Sequence, residues 1–287
     1  GRGWTQPNGR PHAEAMALGQ AGAAAKGAIA YVTLEPCAHV SARGPCCADG
    51  LLAAGVARVV GAITDPDPRT AGQGFARLRA AGVDVITDTA PDQARRSMAG
   101  FFKRTALDHP HVTLKLATSL DGQIALSNGG SRWITGERAR HHTHMERARA
   151  DAILVGGGTL RADAPQLDVR IAGLAARSPM RVVLSRHAAP DGWTGIATPD
   201  AIATLPANWL LIEGGAETAA AFLRAGLVDR LLLYRAPILI GQGKAALGDI
   251  GLSDLAQAHG RWRLTETRML GPDRMEAYES MGESSPA

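Results

Sequence analysis

Cysteine is scarce in this 287-residue chain, and the three present, Cys37, Cys46 and Cys47, fall within a span of eleven residues. An odd, clustered set argues against a disulfide framework and for metal binding or a catalytic thiol. Aromatic side chains make up only 4% of the chain, so the core has to be packed from small and aliphatic residues. No apolar run approaches the roughly 18–20 residues that cross a bilayer. Nor does the beginning of the chain combine a basic region, an apolar core and a cleavage site. The expectation is a cytoplasmic protein with no membrane partner. A strong charge of one sign is missing too: 31 Lys and Arg stand against 27 Asp and Glu, leaving +4. The basic pairs Arg95-Arg96 and Lys103-Arg104 lack interleaved aromatics, whereas polyanion binding needs a concentrated basic face. Nucleic acid is therefore not expected as a partner, and an anionic small molecule suits the balance. Neither G-x-G-x-x-G nor a Walker lysine pattern occurs, which removes the dinucleotide and P-loop fingerprints.

What is present is an alternation of apolar runs and helical stretches. Ala13 to Ala25 reads as a helix, Ala28 to Leu34 as a strand, Cys46 to Ala54 as a helix and Val56 to Ile63 as a strand. The rigid break Asp65-Pro66-Asp67-Pro68 follows. A helix over Gly74 to Ala81 and a strand over Val83 to Ile86 complete the pattern, which implies an α/β layer with a mainly parallel sheet. Pro91 to His111 reads as a connecting helix and turn, and places a domain boundary between residues 108 and 109. A second α/β series extends to residue 280: strands at 112–117, 152–155, 181–184, 209–212 and 230–234, helices at 136–149 and 218–225, and a terminal strand pair around 262–268 and 275–279. Residues 281–287 read as a tail.

The first series carries a metal signature. Hydrolytic removal of an amino group from a heterocycle needs a strong nucleophile at neutral pH and a proton shuttle. Zinc on three protein ligands supplies the first by lowering the pKa of a bound water to about 7, and a neighbouring carboxylate supplies the second. Nucleobase deaminases show this as H-x-E followed by P-C-x-x-C, with the Glu outside the ligand set. His12-x-Glu14 and Pro36-Cys37 fit, although the next cysteine comes nine or ten residues later instead of three.

Arg10-Pro11-His12-Ala13-Glu14 and Thr33-Leu34-Glu35-Pro36-Cys37-x-His39 resemble the deaminase half of the bifunctional riboflavin-biosynthesis deaminase–reductase family, in which the longer cysteine spacing is expected. The resemblance implies zinc on His12, Cys37 and one of the two adjacent cysteines, with Glu14 as the catalytic acid–base. Ala48-Asp49 after the pair favours Cys47; the commoner loop length favours Cys46. We take Cys47 as the ligand and Cys46 as the alternative. Asp65 is the candidate contact for the substrate's ribose phosphate, and His39 is either a pocket residue or a loop histidine without a role. Nothing before Gly1 resembles the helix and Asn-Pro-x-Val-Gly strand with which that deaminase domain begins. The expectation is a cytidine-deaminase-like α/β/α domain over residues 1–108, incomplete at its N-terminus.

The second series shows glycine turns at strand ends, Gly156-Gly157-Gly158-Thr159 and Glu213-Gly214-Gly215, where backbone N–H groups can approach phosphate. Four ordered motifs resemble the reductase half of the same family: Lys115-Leu116-Ala117-x-Ser119-Leu120-Asp121-Gly122, Ser131-x-Trp133-Ile134-Thr135-Gly136, Val155 to Arg170, and Glu213-Gly214-Gly215. The resemblance implies a dihydrofolate-reductase-like α/β domain over 109–280 that uses NADPH. By that carry-over Ala117, Trp133, Thr159, Asp163, Gly215, Ala216, Glu217, Thr218, Ala219, Ala220 and Ala221 hold NADPH. Ser131, Arg147, Leu167, Arg170 and Glu213 hold a ribityl-phosphate substrate, with Arg147 and Arg170 as guanidinium clamps for its phosphate. Lys115, on a strand expected to be buried, needs a partner such as Glu213, and the resemblance implies that this pair meets the substrate and orients the ribose being reduced. Asp121 reads equally as a turn residue. His141, His142 and His144 read as an exposed polar helix face.

The expected activity is zinc-dependent deamination of 2,5-diamino-6-(5-phosphoribosylamino)pyrimidin-4-one, then NADPH-dependent reduction of its ribosyl chain to ribityl, in a homo-oligomer. Two alternatives stay open: a reductase with a vestigial zinc-binding remnant, and a non-catalytic zinc-stabilised binding module.

Overall fold

Apolar stretches too short to be helices pair side by side in the computed structural model, which describes residues 1–6, 9–39 and 44–282. Part of the loop after Cys37 and most of the expected tail, residues 283–287, lie outside the described residues. The chain divides into two compact units, Gly1–Ala106 and a second from Leu107 on.

In the first unit, helix α1 (Ala13–Ala21) runs into a 3-10 turn (Gly22–Ala25) and then strand β1 (Ile29–Val32). Helix α2 (Cys47–Ala53), β2 (Arg58–Gly61), α3 (Gln73–Ala80) and β3 (Asp84–Ile86) follow. The three strands lie in the order β1-β2-β3, all parallel, with Tyr31 opposite Val60 and Val59 opposite Val85. Val59, Leu51, Phe75 and Leu78 form the core under this sheet. The Phe75 ring reaches the sheet because residue 61 is glycine; a Cβ there would stand 2.4 Å from the ring. The single connecting helix expected from the sequence is two, α4 (Pro91–Ser97) and α5 (Ala99–Leu107). Ala94 and Phe102 from them close over Ile63.

Glu35, just past β1, is buried, and its carboxylate accepts from four backbone N–H groups. Its Oε2 takes Asp65 at 3.1 Å and Gly72 at 2.8 Å; its Oε1 takes Gly74 at 2.8 Å and Phe75 at 3.1 Å. The approach is so close that a Cβ on Gly74 would meet the Pro36 carbonyl oxygen at 1.9 Å. One side chain thereby holds the ends of β1 and β2 and the start of α3 in register.

The second unit is built on an eight-stranded sheet in the order β12-β13-β10-β4-β9-β6-β7-β8. The strands are β4 (His111–Thr118), β6 (Ala152–Gly156), β7 (Met180–Leu184), β8 (Thr194–Ile196), β9 (Trp209–Ile212), β10 (Arg230–Arg235), β12 (Trp262–Leu270) and β13 (Asp273–Ser280). Neighbours from β10 to β8 pair in parallel, while β13 and β12 add an antiparallel edge. Strand β6 is buried at every position, as its unbroken apolar sequence requires of a parallel strand covered on both faces. Leu114, Leu154, Val182, Leu210, Ile212 and Phe222 make the main core. Helix α6 (Glu137–Arg149) is strongly polar, yet buries Ala139, Thr143, Glu146 and Ala148. Helices α7 (Gly157–Asp163) and α8 (Ala216–Arg224) start at the ends of β6 and β9. A separate pair joins β5 (Gln123–Leu126) to β11 (Gly243–Ala245).

Removing the Glu35 carboxylate leaves buried N–H groups without an acceptor. Glu35→Ala should therefore lower stability by about 3–5 kcal/mol, with Glu35→Gln losing less. Urea unfolding measures both, and a loss below about 1 kcal/mol for alanine would contradict this role.

Candidate functional site

His12 is the N-cap of α1, Cys37 follows the end of β1, and Cys47 is the first residue of α2. Their donor atoms converge: His12 Nδ1 lies 3.2 Å from Cys47 Sγ and 3.6 Å from Cys37 Sγ. All three lie within 4.8 Å of one another. Tetrahedral zinc with bonds of about 2.05 Å to nitrogen and 2.3 Å to sulfur sets N···S near 3.6 Å, so this donor set fits the ion. Cys46 differs from its neighbour. Its Sγ donates to the Cys37 carbonyl at 2.7 Å, receives Arg77 Nη1 at 3.6 Å and packs among Ala48, Leu51 and Phe75.

The electrostatics around Cys37 favour a thiolate. The Cys47 thiol and the His12 ring hydrogen-bond to it, and together with the backbone N–H of Cys47 at 3.2 Å they hold its pKa down, to about 3, against the cost of burial. Cys47, the donor in this pair, is pushed up. Arg10 adds positive charge nearby, with Nη2 3.9 Å from Cys37 Sγ and Nη1 on the Pro45 carbonyl at 2.8 Å. Glu14 stands in the first turn of α1 beside Cys47, and burial raises its carboxyl above the ordinary range, which suits a group that must both take and return a proton. Asp65 is buried and its pKa is raised by burial; its Oδ1 accepts from the Asp67 N–H at 2.9 Å. His39 Nδ1 pairs with Thr70 Oγ1 at 3.2 Å.

In the second unit a cleft of about 720 Å³ opens beside α6. Lys115, Ala117, Ser131, Trp133, Arg147, Asp163, Leu167, Arg170 and Glu213 all line it, as do His141, His144 and Arg140. Thr159 and residues 215–221 are not among its lining. They form two strand-end turns in contact. A Cβ on Gly156 would meet Thr218 Oγ1 at 2.1 Å, one on Gly214 would meet Thr218 Cβ at 2.6 Å, and one on Gly215 would lie 3.6 Å from Thr159 Oγ1. Helix α8 begins there with no side-chain cap on its first N–H groups, and a Cβ on Gly158 would meet nothing within 4 Å. Open glycine backbone and an uncapped helix start fit the phosphates of NADPH. Ala219 and Ala220 are fully buried and Thr218 nearly so, so their side chains serve the core, and the accessible residues of this stretch are Gly215 to Glu217 and Ala221.

The charged groups of the cleft are arranged differently from the sequence-based expectation. Glu213 is forked by Arg147, with Nε on Oε1 at 2.7 Å and Nη2 on Oε2 at 2.9 Å, and Arg147 Nη1 reaches the Asp168 carbonyl at 3.0 Å. Three of the five guanidinium N–H groups are thus spent inside the protein, which leaves two on the cleft side for a substrate. Its fork also occupies the carboxylate expected to pair with Lys115. The lysine instead lies 5.8 Å over the Tyr234 ring, its amine lowered by burial and only partly restored by the charge of Glu213. Arg170 is the more accessible of the two arginines, its side chain 64% exposed and held only by an ion pair from Nε to Asp168 Oδ1 at 3.3 Å. Trp133 is exposed at the cleft with the Arg140 guanidinium 4.7 Å from its ring.

The three helix histidines do not form one exposed face. His142 Nδ1 contacts the hydroxyl of buried Tyr234 at 2.7 Å, and His144 Nδ1 contacts the Asp168 carbonyl at 3.1 Å. Asp121 is more than a turn residue: it accepts from Ser119 Oγ at 2.5 Å and from the Gly241 N–H at 2.7 Å, tying the turn after β4 to the segment before β11. Asp273 Oδ2 accepts from the Gly136 N–H at 2.7 Å and fixes the start of α6 beside the cleft. Sequence reasoning passed over Asp273, because a lone acid at a hairpin turn 137 residues away carries no signal.

Residues 110–275 match the RibD C-terminal domain, and residues 2–63 match the cytidine and deoxycytidylate deaminase zinc-binding region. The chain is 41% identical over 289 residues to riboflavin biosynthesis protein RibD of Mycobacterium tuberculosis, covering 95% of this chain and 84% of that protein. For the protein of the same name from Escherichia coli the identity is 38% over 323 residues, covering 95% and 88%. A solved structure of RibD from Acinetobacter baumannii matches at 35% identity with a TM-score of 0.86, covering 95% and 86%. One from Thermotoga maritima, described as a diaminohydroxyphosphoribosylaminopyrimidine deaminase/5-amino-6-(5-phosphoribosylamino)uracil reductase, matches at 26% identity with a TM-score of 0.83, covering 95% and 86%.

The donor geometry makes a direct prediction. Cys47→Ala should lose zinc on purification, while Cys46→Ala keeps about one equivalent; zinc analysis of both variants decides, and the reverse pattern would reassign the ligand. Acidification should release the ion, because protons compete for the thiolates and the imidazole.

Proposed function

The chain belongs to the RibD family of riboflavin-biosynthesis proteins, and from that premise we propose that it carries out two successive steps on one phosphorylated pyrimidine. The first unit, a deaminase of the cytidine-deaminase type, replaces the exocyclic amine of 2,5-diamino-6-(5-phosphoribosylamino)pyrimidin-4-one by oxygen. The second, a dihydrofolate-reductase-like unit, reduces the ribosyl chain to ribityl. When bound, zinc supplies Lewis acidity that makes water nucleophilic at neutral pH, and NADPH supplies a hydride.

The observation that carries the first step is the convergence of His12 Nδ1, Cys37 Sγ and Cys47 Sγ beside Glu14. These three side chains hold the metal. Glu14 takes the proton of the attacking water and passes it to the leaving amine, so that one C–O bond forms, one C–N bond breaks and ammonia departs. Asp65, buried at the end of the β2 loop, is the candidate contact for the sugar phosphate.

For the second step, Arg170 meets the substrate phosphate, while Ser131 and Leu167 shape the same end of the cleft. Arg147 and Glu213, locked to each other, present a fixed dipole, and Lys115 beside them donates a hydrogen bond to the ribose being opened. Ala117, Trp133, Thr159, Asp163 and the turn from Gly215 hold NADPH. A zinc-stabilised binding module would have no use for a cationic cleft and two glycine turns.

Among the described residues no helix is long and apolar enough to cross a membrane. Membership of the family also suggests a homo-oligomer.

The two steps separate by mutation. Glu14→Gln should cut ammonia release by about 10²–10⁴-fold and leave NADPH oxidation with the deaminated substrate unchanged. Coupled assays of both activities test this. A zinc-loaded wild-type chain that reduces the deaminated compound but releases no ammonia would reduce the reading to a reductase alone.

A further inference from the structure

We propose that His144 is a positioning residue of the reductase cleft, fixing the segment that carries Leu167 and Arg170 and thereby setting affinity for the phosphate end of the substrate. The inference rests on the reading of this cleft as the reductase site.

Helix α6 contacts this segment through two side chains one turn apart. His144 Nδ1 lies 3.1 Å from the Asp168 carbonyl, and Arg147 Nη1 reaches the same oxygen at 3.0 Å. The Arg170 backbone N–H also points at His144 Nδ1, at 3.3 Å. Either tautomer of the ring therefore ties α6 to the segment. A protonated Nδ1 donates to Asp168, and an unprotonated one accepts from Arg170.

The segment needs such a tie. Leu167 is buried, yet its φ is +55°, in the left-handed region that a leucine side chain disfavours. Arg147 reaches only the Asp168 carbonyl, through Nη1, and leaves the Arg170 N–H to His144. The Arg170 side chain is largely exposed, so its direction depends on where its backbone is held; Arg147 and Ser178 Oγ hold Asp168 and Val169 just before it, and His144 is the side chain that meets the Arg170 N–H itself. His144 itself lines the cleft, as do Arg147 and Arg170.

The consequence is specific. Loss of the ring should loosen the phosphate end and leave the hydride-transfer end, around Lys115 and Glu213, in place. His144→Ala should raise KM for 5-amino-6-(5-phosphoribosylamino)uracil about 10-fold, with the same rise in Kd for inorganic phosphate measured by calorimetry. The kcat should stay within about 2-fold of wild type and NADPH affinity should not change. His144→Asn sets an amide where Nδ1 stands and can offer either a donor or an acceptor, so it should restore most of the loss. An unchanged KM in H144A, a loss confined to kcat, an equal fall in NADPH affinity, or H144N no better than H144A overturns the proposal. A wild-type chain that fails to oxidise NADPH overturns the functional reading instead, and phosphate binding to H144A still reports on His144 in that case.

Discussion

A parallel strand covered on both faces can carry polar chemistry only at its ends, and strands β6 and β9 of the second unit follow this constraint. Strand β6 is buried along its whole length, so the first groups able to meet a ligand are those of the glycine turn beyond it. The same holds at the end of β9, where apolar Ile212 gives way to Glu213. In the first unit Glu35 and Cys37 stand just past β1, and Asp65 stands past β2. Each exposed end then needs its own backbone groups satisfied, and acidic side chains do much of that. Glu35 collects four N–H groups, Asp121 ties two loops, and Asp151 Oδ2 accepts from Asn208 and Trp209 at 2.8 and 3.0 Å.

Charge is handled by the same logic of burial. The Arg147–Glu213 pair has side chains only 12% and 10% exposed, so losing either partner strands a buried charge at a cost of about 3–5 kcal/mol. By contrast, Arg58–Asp84 has both side chains near half exposed, and pairs of that kind contribute under about 1 kcal/mol. The difference separates pairs that fix a site from pairs that decorate a surface. Around Cys37 the compensation comes from a helix-start N–H, an imidazole and a guanidinium, which keeps a buried sulfur ready to bind a cation.

Much of this was legible before any coordinates. The alternation of apolar runs and helical stretches marked most of the strands, because buried parallel strands are continuously apolar and stand out from polar helices. That His12, Cys37 and Cys47 converge beside Glu14 was foreshadowed because metal-ligand and acid–base chemistry restrict residue type and local spacing. Strands β5, β8 and β11 escaped notice: each is only three or four residues long, too short for a period to register. Helix α7 was read as part of a glycine turn. Glu213 does feel the charge of Lys115, but its hydrogen-bonding partner is Arg147, which spacing along the chain cannot single out because only the bidentate fork geometry distinguishes the two. The roles of His142 and His144 were hidden because one turn of a helix separates a surface from an interior.

The adjacent cysteines show most plainly where spacing stops and packing takes over. Counting along the chain leaves Cys46 and Cys47 equivalent, since either could close a loop from Cys37. Helix α2 starts at Cys47, with Cys46 extended at φ −67° and ψ 137° as its N-cap, so consecutive side chains leave the backbone in different directions. Ala48 and Leu51, almost wholly buried against Phe75 and Leu78, set the rotation of the helix. With that rotation set, the sulfur of Cys46 turns into the apolar cluster and that of Cys47 turns toward His12. A shift by one residue would place both the core side chains and the metal ligand wrongly at once. The hydrophobic face of a seven-residue helix is thus what selects the third donor of the metal site.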